Sequence, residues 1–95
     1  MVVGVLRLEL FLHTPQSLKE KRSLVKRLLG RCRERFPVSC AETGMQDLWQ
    51  RAELGFAFVS HDEASVHALY ERLEEEVARI GAGDVCDRYL ELIRF

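Results

Sequence analysis

From Leu6 to Leu12 apolar and other residues alternate strictly, with Leu6, Leu8, Leu10 and Leu12 on one side and Arg7, Glu9 and Phe11 on the other. A period of two marks a strand with one buried face and predicts a first strand over Val2 to Leu12. Thr14-Pro15-Gln16 interrupts it, and Ser17-Leu18-Lys19-Glu20 follows with capping-box spacing. A serine hydroxyl there accepts from the third helical N–H while the glutamate reaches back, so a helix is predicted to begin at this point. Its apolar stripe is Leu18, Leu24, Val25, Leu28, Leu29, Cys32 and Phe36, and Pro37 ends it. Val38 to Thr43 predicts a short second strand, followed by Gly44 and a polar stretch, Gln46 to Arg51, whose structure the pattern leaves open.

Alternation returns from Glu53 to Val59, with Leu54, Phe56 and Phe58 opposite Gly55, Ala57 and Val59. Ser60-His61-Asp62-Glu63 repeats the capping-box spacing. Val66, Leu69, Tyr70, Leu73, Val77 and Ile80 then form a second helical stripe that ends before Gly81-Ala82-Gly83. Tyr89 to Phe95 predicts a last strand. Two strand-helix-strand halves in the order β-α-β-β-α-β predict an α+β, ferredoxin-like sandwich, a four-stranded antiparallel sheet with both helices on one face.

A length of 95 residues, 47% hydrophobic and 31% charged, fits one core and a single domain over residues 1–95. No apolar run approaches the ~20 residues that span a bilayer. The opening strand carries Arg7 and Glu9 inside its pattern, unlike a secretory signal, so a cytoplasmic protein is expected. Cys32, Cys40 and Cys86 are odd in number and lack C-x-x-C spacing, which predicts reduced, packing thiols and no zinc.

The run Ser17-Leu18-Lys19-Glu20-Lys21-Arg22 after the first strand, with Gln46-Asp47-Leu48-Trp49-Gln50-Arg51-Ala52 ahead of the third, resembles the YlxP-like family of small bacterial proteins, a domain of unknown function. The likeness covers essentially the whole chain. It implies the same ferredoxin-like topology. Because genes of that family tend to lie among those for translation initiation and ribosome maturation, it also implies an RNA-linked role. It implies no catalytic residues.

Charge placement gives that role a physical candidate. Net charge is only -1, yet Lys19 to Arg35 holds eight basic residues against Glu20 and Glu34. At 3.6 residues per turn, Lys19, Arg22, Lys26 and Arg33 fall along one flank of the apolar stripe, and Arg27, Arg31 and Arg35 along the other. Either row could track a phosphate backbone with salt-sensitive affinity. The second helix is acidic, with Asp62, Glu63, Glu71, Glu74, Glu75 and Glu76 against Arg72 and Arg79, so one basic row can be paired internally or across a dimer.

Gly55-Phe56-Ala57-Phe58-Val59 fits the middle of the RNA-recognition octamer, in which the aromatics face outward to stack on bases, and Phe11 would add a third platform position. Leu54 replaces the octamer's first basic residue and His61 its last aromatic. Turning both rings outward would also leave this strand only Gly55, Ala57 and Val59 for the core, so the core is the expected place for Phe56 and Phe58.

In the stretch before the third strand, Asp47, Trp49, Gln50 and Arg51 suit partner recognition, since Trp and Arg are favoured interface anchors. The competing reading is a loop pinned by Trp49 on the core. His67, with Glu63, Glu71 and Glu74 on its flank, is expected in exposed helix pairing and not in a cation site. Adjacent Ser60-His61-Asp62 cannot form a relay and is expected to cap, and His13 is expected as a loop residue.

No nucleophile with a base, phosphate-cradling glycine loop or metal set is recognisable, so no catalytic residue, metal or cofactor is predicted. The expected function is a non-enzymatic factor that contacts structured RNA or a ribonucleoprotein through Lys19, Arg22, Lys26, Arg27, Arg31 and Arg33, aided by the Gln46 to Arg51 loop. The alternative is a homo-oligomeric module, a homodimer in its simplest form, that buries the open sheet face with Val3, Val5, Phe11 and Ile93 against a second subunit.

Overall fold

The computed structural model describes residues 1–80 and 83–95. In chain order the elements are β1 (Val2–Leu12), α1 (Leu18–Arg35), β2 (Ser39–Gly44), β3 (Arg51–Ser60), α2 (Glu63–Ile80) and β4 (Gly83–Arg94). The strands form one sheet in the order β2-β3-β1-β4, every neighbouring pair antiparallel. This is the α+β, ferredoxin-like fold that the alternation and the two helical stripes predict.

The pleat decides what is buried. Leu6, Leu8, Leu10 and Leu12 of β1 and Ala52, Leu54 and Phe56 of β3 form the sheet side of the core, with Phe58 partly buried against it. Leu24, Val25, Leu28, Leu29 and Cys32 of α1 and Val66, Leu69, Tyr70, Leu73 and Val77 of α2 close it from the helix side. In the β1–β3 register Leu8 faces Leu54 and Leu6 faces Phe56, so the two central strands present their apolar sets together. Phe56 and Phe58 therefore point into the core, and the base-stacking platform is absent from this strand.

Close approach of α2 to the sheet depends on Gly4. The Tyr70 hydroxyl donates to the Gly4 carbonyl at 2.6 Å, and a Cβ at Gly4 would run into Cγ1 of Val66.

Of three boundaries, one follows the sequence reading and two depart from it. The first cap forms as expected, with the Ser17 hydroxyl accepting from the Glu20 N–H, although Glu20 meets the serine hydroxyl and not the backbone. The second shifts by two residues, because Asp62 accepts from the Ser65 N–H at 2.7 Å while Ser60 accepts from the Asp62 N–H. A carboxylate is the stronger acceptor and complements the helix dipole, so it wins the cap position. β4 begins at Gly83 instead of near Tyr89, its first half lying exposed along the sheet edge with a register shift between Glu9 and Leu10 of its partner strand. The glycine stop expected at Gly81-Ala82 lies outside the described residues. Among those described, no helix is long and apolar enough to cross a membrane.

Two charged residues are buried among those described, Lys21 and Glu76, and Lys21 is the more deeply so. Lys21 is fully buried; its ammonium lies 2.6 Å from a Glu42 carboxylate oxygen on β2 and donates to the Met45 carbonyl at 2.8 Å. Taking a lysine out of water is tolerated only with such partners. Lys21→Ala, which strands Glu42, should lower stability by about 3 to 5 kcal/mol, whereas Lys21→Met combined with Glu42→Leu should lose far less. Denaturant midpoints check this; a single-variant loss below about 1 kcal/mol would contradict the assigned role.

Candidate nucleic-acid interface

The apolar stripe and Lys21 set the rotation of α1, and that rotation sorts its cations into three groups. Lys19, Arg22, Lys26 and Arg27 are exposed and have no carboxylate partner among the described residues. Lys19, Arg22 and Lys26 follow one another at spacings of three and four residues, about one turn each, and so form a continuous cationic ridge. Arg27 borders a groove of about 240 Å³ with Thr14, Pro15, Glu20, Ser23 and Leu24.

The second group faces α2. Arg31 Nε donates to Glu76 at 3.2 Å, and Arg35 Nη1 lies 3.7 Å from the same carboxylate. Arg79, one turn along α2, donates to it through Nε at 3.2 Å and Nη2 at 2.5 Å. Hydrogen bonds from Arg79 and then Arg31, with the charge of Arg35, hold the Glu76 carboxyl down at about 2 although burial pushes the other way. Arg31, placed by sequence in the contact row, is thus committed to the helix pair. Arg33 forms the third group alone: its Nη2 donates to the Cys40 carbonyl at 2.7 Å, tying α1 to the edge strand β2.

Residues 45–50 form a turn and two bends between β2 and β3, with Arg51 already the first residue of β3. Met45 adopts a left-handed backbone with φ of 59°. Its carbonyl accepts from both Lys21 and the Leu48 N–H, which starts the loop beside the first turns of α1. Leu12 N–H donates to the Gln50 carbonyl at 2.7 Å and fixes the other end. Leu48 and Trp49 stand 48% and 40% exposed, so Trp49 does not pin the loop to the core. Asp47 is exposed, Gln50 half-buried, and Arg51 lies 3.8 Å from Glu9 on the open sheet face.

That open face has two unlike ends. Glu9 sits between Glu53 and Asp87 in the strand register, a row of three carboxylates relieved by Arg7 beside Glu53 and Arg51 beside Glu9. Such a row repels a phosphate backbone. At the other end Val3, Val5, Ala57, Val59 and Ile93 share the face, Val59 being 60% exposed. Phe11 is half-buried and meets His13 edge-on, and His13 Nε2 lies 2.9 Å from Asp84, a partner that sequence gave no hint of. The carboxylate row thus lies on the open sheet face, away from the exposed cations of α1.

His67 is exposed, and two carboxylates of its flank are taken elsewhere: Glu63 by Arg94 and Glu74 by Arg88, the latter at 2.7 and 3.0 Å. No three His, Cys, Asp or Glu side chains converge as metal ligands among the described residues. Cys32 and Cys40 are buried free thiols, Cys32 pushed up to about 11 by burial first and by Cys40 and Glu76 next. Sequence reasoning missed Lys21 and Glu76. Lys21 does sit at stripe spacing from Leu18, Leu24, Val25 and Leu28, which is the signal that could have found it. Glu76 is one of three consecutive glutamates, and nothing local distinguishes it.

Residues 3–89 match the family model described as Protein of unknown function (DUF503). The chain is also 38% identical over 72 residues to "Uncharacterized protein YlxP" of Bacillus subtilis (strain 168), covering 76% of this chain and 78% of that protein.

Because the Glu76 carboxyl titrates below its ordinary 4.5, the stability it contributes is full above that pH and is lost as pH falls toward about 2. Glu76→Gln is expected to melt below the parent at neutral pH and to converge with it near the bottom of that window. A melting-temperature offset that stayed constant across the window would contradict the arginine-held carboxylate.

Proposed function

We propose, from the premise that the chain belongs to the DUF503 family of proteins of unknown function, that it is a non-enzymatic accessory factor in ribosome maturation or translation. It acts in the cytoplasm and contacts structured RNA or a ribonucleoprotein through the outward face of α1. The observation that carries this reading is the ridge of Lys19, Arg22 and Lys26, joined by Arg27, left without carboxylate partners among the described residues when Arg31, Arg33 and Arg35 are engaged. Four unpartnered cations on one helix of a chain whose net charge is -1 concentrate positive potential where a phosphate backbone can lie along it. The neighbouring loop offers Trp49 and Leu48 as exposed apolar anchors, with Asp47, Gln50 and Arg51 as polar ones, at the end of α1 where the ridge begins. The acidic row on the opposite sheet face orients the protein toward polyanions by its helix side.

A second reading has its own observation: Val3, Val5, Ala57, Val59 and Ile93 form a mainly apolar end of the sheet, with Glu91 beside Val5, a surface on which a second copy could pack isologously. It is compatible with the first, since the two surfaces lie on opposite sides of the sheet.

Binding to a structured RNA across a salt series should show a steep log–log slope. Lys19→Glu, Arg22→Glu and Lys26→Glu together should flatten it by roughly 2 to 3, about 0.7 to 0.9 per lost phosphate contact. An unchanged slope and affinity in the triple variant would exclude the ridge. Sedimentation of the same samples tests the second reading: a monomer at every working concentration excludes it.

A further inference from the structure

Between the C-terminal part of α1 and α2 lies a cleft of about 380 Å³, lined by Arg35, Phe36, Arg72, Glu75, Glu76 and Arg79. Its chemistry differs from that of the ridge. Glu76 is nearly buried and takes three guanidiniums at once, from Arg31, Arg35 and Arg79, while each of those side chains stays roughly half exposed. One carboxylate cannot neutralise three guanidiniums. With Arg72 and Glu75 included, the cluster keeps a charge of +2.

The donors are also underused. A guanidinium carries five N–H groups. Arg31 donates only Nε to Glu76, Arg79 donates Nε and one Nη, and Arg35 stands 3.7 Å away. Arg72 has no carboxylate partner among the described residues. Glu76 therefore acts as a hub that orders arginines without consuming their donors. Ordered arginines with free paired N–H groups around a concavity are the arrangement that takes phosphate oxygens bidentately, and the ordering reduces the entropy lost on binding.

We infer that the interhelical cleft beside Glu76 is a phosphate-binding site, taking a dianionic phosphomonoester or diphosphate group on Arg35, Arg72 and Arg79. The residual charge of +2, counted with Arg31, which pairs with Glu76 but does not itself line the cleft, favours a dianion over the single charge of an internal phosphodiester. Phe36 forms an apolar wall of the cleft, against which the organic part of such a ligand can rest. This inference is independent of the RNA reading, because the cleft uses none of Lys19, Arg22, Lys26 or Arg27.

Calorimetric titration of the full chain with inorganic pyrophosphate at low ionic strength is the direct test. Saturable one-site binding is expected, weakened about tenfold or more by Arg72→Ala and by Arg35→Ala, each checked for unchanged helix content by circular dichroism. Lys19→Glu with Lys26→Glu should leave it unaltered, which separates this site from the ridge. Paired oligoribonucleotides with a 5′-phosphate or a 5′-hydroxyl then distinguish the source of the group. Preference for the phosphorylated one supports the site as a receptor for a chain end, and equal binding of both with pyrophosphate retained supports it as a receptor for a free small ester. Absence of saturable pyrophosphate binding, or binding indifferent to both arginine variants, would overturn the inference.

Discussion

The rotational setting of α1 about its own axis is the constraint from which the rest of the molecule's surface chemistry follows. Leu24, Val25, Leu28 and Cys32 turn one side of that helix into the core it shares with the sheet and α2. Lys21 adds a directional lock that apolar packing lacks, since an ammonium without solvent must meet Glu42 and the Met45 carbonyl or remain unpaired. A helix held by leucines alone can rotate somewhat at small cost. One held by a buried ion pair cannot, and the same pair sets where the loop after β2 begins.

Once that rotation is fixed, the sorting of cations follows from geometry. The side turned to α2 meets Glu76 and forms the arginine hub, the side turned to β2 places Arg33 on an edge carbonyl, and what remains faces water. The protein's near-zero net charge conceals a molecule polarised between a basic helix face and an acidic stripe across its open sheet face. Such polarity orients an approach to polyanions without requiring a large total charge.

The fold was legible because leucines at alternate positions and at helical spacings leave few choices for a chain of this length. The inward direction of Phe56 and Phe58 was legible for the same reason, as the central strand has nothing else large to bury. What sequence could not supply lies mostly in pairings between distant residues. Glu76 among three adjacent glutamates becomes special only when α1 lays Arg31 and Arg35 beside it. Asp84 to Arg88 form a strand without alternation because both sides of that edge are exposed, so no hydrophobic period is imposed. Asp62 displaced Ser60 as the cap although the capping-box spacing favoured the serine. Lys21 shows a different limit: its position in the stripe was readable, but lysine is so seldom fully buried that charge outweighed periodicity in the reading.

All three lysines of the chain, Lys19, Lys21 and Lys26, lie in α1, so one acylation experiment reads the buried lock and the proposed contact face together. Amine-reactive labelling of the folded protein, quantified by peptide mass spectrometry, should modify Lys19 and Lys26 readily and leave Lys21 unmodified. Addition of a structured RNA that the protein binds should then protect Lys19 and Lys26. Labelling of Lys21 in the folded chain, or Lys19 and Lys26 reacting equally with and without saturating RNA, would contradict the assignment of α1's outward face as the contact surface.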